Sequence, residues 1–133
     1  MKKIIVFLIF LFGPFPSLAD SCDKIMQKPS LTFNDVKLLY NSENLKHNSY
    51  VNLYFKNVLN GISAYESVLI LENKKRAACI TNYDYLMKLS LLSNSIEMVD
   101  SMLKTTHGEH VAEYQPFPLL YMRALQYYYP CKD

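Results

Sequence analysis

The apolar residues of this chain recur at steps of three and four. One series runs Val51, Tyr54, Val58, Ile62, Tyr65 and Leu69, and another runs Leu86, Leu89, Leu92, Ile96, Val99 and Leu103. Such steps return side chains to one face of a 3.6-residue helix and scatter them over both faces of a strand. Both stretches therefore read as amphipathic helices. Glycine points the same way. Three glycines in 133 residues leave few places for the positive φ that hairpin turns and phosphate-cradling loops require. The expected fold is all-α, a small helical bundle of about four to five helices.

The remaining elements follow from caps and breakers. A short helix is expected over 34–40, capped by Thr32 or Asn34, with Phe33, Val36, Leu39 and Tyr40 on one side. Residues 41–48 are polar and read as a linker. The long helix starts near Ser49 and ends in the charged stretch 72–78. Gly61 inside it costs about 1 kcal/mol against alanine, so it calls for a packing reason such as a close helix crossing. Thr81 can cap the next helix, with Asp84 favourably placed in its first turn. That helix runs through about Thr105, and Ser93, Asn94 and Ser95 mark a place where it can break, because their side chains compete for backbone partners. Residues 104–115 form a polar connection. Pro116 and Pro118 then prepare a last helix, which Pro130 stops.

Residues 1–19 stand apart from this pattern. Lys2 and Lys3 precede an unbroken apolar run from Ile4 to Phe12, and Ser17-Leu18-Ala19 supplies small residues at −3 and −1 of a cleavage site. This is the layout of a secretory signal peptide. The run is about half of the roughly 20 apolar residues that a spanning helix needs. The chain is thus expected to be exported, to keep no membrane anchor after cleavage, and to fold as a single domain over 20–133. With Lys2 and Lys3 gone, the 14 basic residues fall to 12, equal to the 12 acidic ones. A neutral chain lacks the basic stripe that nucleic-acid binding needs.

Three cysteines in a small exported protein pose a pairing question. Cys22 lies near the new N-terminus, where chains tend to fray. Cys79 and Cys131 are the expected pair. Closing a loop of about fifty residues would contribute roughly 4 kcal/mol in the chain-entropy account. Cys22–Cys79 and Cys22–Cys131 remain as alternatives, and a left-over Cys22 would be free or intermolecular.

No constellation points to catalysis, a metal or a cofactor. His107 and His110 stand three apart with Glu109 and Glu113 nearby, yet they lack the H-E-x-x-H spacing on a helix. Cys79 could in principle act as a nucleophile, with His47, His107 or His110 as base, but in an oxidising compartment a structural disulfide is the better account. Glu97 and Asp100 share a helix face that looks solvated, which does not define an opposed carboxylate pair. Tyr121 and Tyr127 to Tyr129 read as core and rim of the last helix.

Four features stand in one order: an export leader, a helix bearing Tyr54-x-x-Asn57-Val58-x-x-Gly61, Cys79-x-Thr81 opening another helix, and a terminal Ala124-Leu125-x-x-x-Tyr129-Pro130-Cys131. This order resembles the Tai-type immunity proteins that neutralise amidase effectors of bacterial type VI secretion systems. The resemblance spans Ser49 to Cys131. Asn57 and Tyr129 depart from the glycine and phenylalanine usual in that family, and Tyr40 and Val51 stand roughly where many members carry a second cysteine pair. The resemblance implies a periplasmic, non-enzymatic protein that binds a papain-like cysteine amidase and excludes peptidoglycan from its cleft. It also implies a homodimer. The expected contact residues are His107, Glu109, His110 and Tyr114 in the 104–115 connection, with Lys74, Lys75 and Arg76 as a second set. The reading from another class is a small periplasmic helical chaperone or stress protein.

Overall fold

The structure, a computed structural model, describes residues 18–132. Residues 1–17, which hold most of the expected signal peptide, lie outside the described residues. Among the described residues six helices follow one another: α1 Leu18–Ile25, α2 Phe33–Asn41, α3 Leu45–Leu71, α4 Asn82–Asp84, α5 Leu92–Thr105 and α6 Phe117–Tyr128. A π-helical turn Tyr85–Leu89 continues α4, and a 3-10 turn Glu109–Glu113 precedes α6. The expected all-α bundle is the observed fold, and one disulfide, Cys79–Cys131, staples it across 52 residues.

Local chemistry explains the helix starts. Thr32 accepts from the Asp35 N–H, and the Asp35 carboxylate accepts from the Thr32 N–H, a reciprocal capping box for α2. Asn44 caps α3 by accepting from the Lys46 N–H. The expected linker over 41–48 therefore shrinks to the turn Ser42, Glu43 and Asn44, and His47 becomes a helical core residue. Pro116 and Pro118 open α6 as expected.

The core is an aromatic column between α2, α3 and α6. Phe33 stacks on Phe117 with ring centroids 6.2 Å apart, Phe117 on Tyr121 at 5.7 Å, and Phe55 meets Tyr121 edge-on at 5.6 Å. Edge-on and offset arrangements suit the ring quadrupoles. The start of α6 is fixed to the chain before α2 by a Phe117 N–H donated to the Leu31 carbonyl at 2.7 Å. Along α3 the buried stripe is His47, Val51, Phe55, Leu59, Glu66 and Leu69. That is one step round from the expected stripe. Tyr54, Val58 and Ile62 are only half-buried, and Tyr65 is exposed. At Gly61 an added Cβ would meet nothing within 4 Å, so the close crossing expected there is absent.

The break in the second long helix also moves. It falls at Ser90 and Leu91, ahead of the Ser93-Asn94-Ser95 triplet. The Ser90 N–H reaches back five residues to the Tyr85 carbonyl at 3.1 Å, and Leu91 is extended. The triplet still does part of the work. The Asn94 amide donates to the Lys88 carbonyl at 3.2 Å, and the Ser95 hydroxyl donates to the Leu91 carbonyl at 3.2 Å. Asn94 thus holds a carbonyl that a continuous helix would use, and Ser95 adds a second bond to the carbonyl that already takes its own N–H. Leu86, expected in the core stripe, is consequently 67 % exposed.

α3 and α5 both end with a left-handed residue that is not glycine. Asn73 has φ 52° and His107 has φ 55°. In each case the following N–H returns to the helix, Lys74 to the Leu69 carbonyl and Gly108 to the Leu103 carbonyl, both at 2.8 Å. This is the Schellman closure, which glycine usually serves.

Candidate functional site

The residues expected at a partner interface fall into two sets. In the connection before α6, His107, Glu109, His110 and Tyr114 are all exposed. The 3-10 turn brings His110 and Tyr114 together, with ring centroids 6.4 Å apart. Ala112 and Val111 pack this turn onto the core, so the exposed side chains stand on an anchored segment.

The second set is engaged inside the molecule. The Arg76 Nε donates to Glu66 Oε2 at 3.2 Å, and the Ala77 and Ala78 N–H groups donate to Glu66 Oε1 at 3.0 and 3.2 Å. Glu66 is 8 % exposed, so Arg76 serves as part of the joint that fastens the 72–78 stretch to α3. Lys74 pairs with Glu72 at 2.6 Å. Lys75 is exposed beside them.

The disulfide sits next to this joint. The Cys79 N–H donates to the Tyr129 carbonyl at 2.8 Å, so the covalent link and a backbone bond act together on the end of α6. Thr81 caps α4 as expected, accepting from the Asp84 N–H at 3.0 Å while its hydroxyl donates to the Asp84 carboxylate at 2.8 Å. The Thr81 hydroxyl holds the Asp84 carboxyl below the usual carboxylate range, with Lys88 assisting. Beyond this clamp, Tyr83, Leu86, Met87 and Leu91 are exposed at 68, 67, 58 and 53 %. Sequence reasoning missed this group because it placed Leu86 in a continuous helix.

A nucleophile-like series lies elsewhere. Ser42 Oγ is 2.7 Å from His47 Nδ1, and His47 Nε2 is 3.1 Å from Asp23 Oδ1. The order of residues is that of a hydrolase triad, but the setting differs. His47 is 1 % exposed, and Ser42 Oγ also accepts from the Asn44 N–H at 3.2 Å in the turn between α2 and α3. The series ties α1 to that turn. Cys22 lies in the same region and is fully buried. It is neither frayed nor placed for intermolecular pairing. Burial pushes its thiol above the usual range, the Asp23 charge adds to this, and a Ser42 hydrogen bond opposes it. A reactive cysteine needs the opposite environment.

Among the clefts on the described surface, two matter for the residues above. One, of about 610 Å³, lies between the π-helical turn, α5 and the end of α6, and is lined by Lys88, Leu89, Asn94, Glu97, Met98, Ser101, Tyr128 and Tyr129. The other, of about 570 Å³, runs along α3 beside the start of α6, where Tyr54, Val58, Ile62 and Tyr65 face Pro118, Leu119 and Met122. Four residues of the expected α3 stripe thus line a groove, while Val51 and Leu69 are buried as expected. Among the described residues no group of three or more His, Cys, Asp and Glu side chains is placed to hold a metal ion, and no helix is long and apolar enough to cross a membrane.

The chain's likeness to known proteins adds no assignment: no protein-family model, no curated protein and no solved structure matches it.

Proposed function

We propose that this chain is a periplasmic immunity protein that binds a peptidoglycan-cleaving cysteine amidase delivered by a type VI secretion system and blocks its cleft by occupying it. Exported by its leader, it would protect the producing cell and its kin where the toxin acts. The observation that carries the reading is how the apolar group Tyr83, Leu86, Met87 and Leu91 is held. On one side the segment is fixed by the Cys79–Cys131 link and the Thr81 cap, and on the other by the Asn94 and Ser95 hydrogen bonds. Exposed apolar side chains on a stiff support dock with little loss of conformational freedom, which is what an inhibitor needs. The exposed His107, His110 and Tyr114 follow the far end of α5 and form a separate candidate contact. Blocking a cleft in this way asks no bond-making chemistry of the protein.

The test is co-expression in the periplasm with a candidate amidase. Cells should survive with the wild-type chain. They should lyse with the Leu86→Asp/Met87→Asp double variant, whose helical circular dichroism and thermal midpoint should match those of the wild type. Lysis that proceeds unchanged beside the wild-type chain rejects the reading. Protection by the double variant would move the contact away from this segment.

A second reading, a small helical chaperone, draws on the end of α3, where Val68, Ile70 and Leu71 are exposed at 47, 54 and 82 %. Suppression of aggregation of unrelated proteins would favour it, whereas an inhibitor should bind one partner and leave the others alone.

A further inference from the structure

We propose that the cleft of about 610 Å³ between the π-helical turn, α5 and the end of α6 seats the basic side chain of a protein partner, an arginine in particular. The charge balance of its lining carries the proposal. Glu97 is exposed on the cleft wall with no hydrogen-bond or ion-pair partner among the described residues. Lys88, the cation of the lining, is already held by Asp84 at 3.3 Å. Asp84, Lys88 and Glu97 therefore sum to one negative charge, carried by Glu97 in the cleft lining.

The rest of the lining suits a flat, weakly hydrated cation. Tyr128 and Tyr129 contribute two aromatic rings, and Leu89 and Met98 contribute apolar surface. A guanidinium can pair with a carboxylate through two N–H groups and lie against an aromatic ring at once, which an ammonium does less well. The site is also held firmly. Tyr127 packs edge-on against Tyr128 with centroids 4.9 Å apart, and the Tyr129 carbonyl takes the Cys79 N–H beside the disulfide. An arginine would fit this cleft whether or not the partner is an amidase.

The experiment titrates the ¹⁵N-labelled, disulfide-bonded protein with acetyl-Gly-Arg-Gly-amide and with the same peptide carrying citrulline, which has the shape of arginine without its charge. The arginine peptide should shift amide signals around Leu89, Glu97, Met98 and Tyr129, with a dissociation constant of about 1–10 mM, the range open to so small a probe. Binding of the citrulline peptide should be about tenfold weaker. Glu97→Gln should abolish that difference, and Glu113→Gln, an exposed acid on the 3-10 turn, should leave it unchanged. Absent shifts at the cleft, equal binding of the two peptides, or a preference that survives Glu97→Gln would each overturn the proposal.

Discussion

Glu66 joins α3 to the 72–78 stretch through one carboxylate. Its Oε1 takes both the Ala77 and the Ala78 N–H, and its Oε2 takes Arg76. Glu66→Ala removes all three at once. Bonds to a charged group contribute about 1.5–3 kcal/mol, and a buried N–H left without a partner costs about 1–3 kcal/mol. Ala78 is 1 % exposed, so water cannot replace its lost acceptor. The Arg76 side chain is 38 % exposed, so its ion pair is screened and adds under about 1 kcal/mol. The expected loss for Glu66→Ala is about 3–4 kcal/mol. Glu66→Gln offers a separate reading of the same joint. Its carbonyl oxygen can stand where Oε1 stands and keep both N–H groups, while its amide faces Arg76 in place of Oε2. The expected cost is then about 1–2 kcal/mol, with Arg76→Ala at about 1 kcal/mol or less. Urea unfolding at neutral pH with the disulfide intact would measure all three, provided the denaturant slope is unchanged. Equal losses for alanine and glutamine would show that charge, and not the backbone acceptor, holds the loop. A loss for alanine below about 1 kcal/mol would refute the joint altogether.

Three other outcomes follow from the same structure. Replacing Cys79 and Cys131 by alanine should cost about 4 kcal/mol of stability, read by urea unfolding, because the unfolded chain regains the freedom of a closed loop; peptide mapping without reductant should link the fragments carrying those two residues. His107→Gly should raise the thermal midpoint by the equivalent of about 0.5–1 kcal/mol, since φ is 55° there, and Gly61→Ala should raise it similarly because the Cβ meets open space; Asn73→Gly should gain less, as asparagine tolerates this conformation. Tyr121 supplies a pH signature. Burial pushes its hydroxyl up to about 12, with a Ser95 bond opposing. Above about pH 10 the unfolded chain releases this proton while the folded one retains it, so that stability is fully present below pH 10 and falls by about 2–3 kcal/mol as pH rises towards 12. Tyr54 and Cys22 shift in the same direction, so Tyr121→Phe should flatten the decline in part, as followed by denaturation from pH 8 to 12.

Much of the architecture was legible in the residues alone. The three- and four-step spacings announce helices, Thr32 and Thr81 announce two of their starts, and Pro116 with Pro118 announces a third. The position of Cys22 near the expected new terminus points to the Cys79–Cys131 pair, but the physical reason differs: Cys22 is unpaired because it is packed in the core, not because it is loose. The sequence also marks the joint at Glu66. Glu66 is the lone charged residue between Lys56 and Glu72, and a carboxylate that such a stretch buries has to find partners.

Periodicity sets helix type but not the angle at which a helix meets its neighbours, since a stripe one step round satisfies nearly the same spacing. The docking of α2 and α6 chose His47, Val51, Phe55 and Leu59 for the inner face of α3 and left Tyr54, Val58 and Ile62 beside a groove. The same holds for the surface around the disulfide. Whether Leu86 and Met87 face inward depends on where the helix breaks, and that was decided by hydrogen bonds from Ser90, Asn94 and Ser95 competing with the backbone. Local propensity is carried within a few residues and can be read along the chain. Facing, burial and the cleft beside Glu97 arise from elements far apart in the chain, and only their packing determines them.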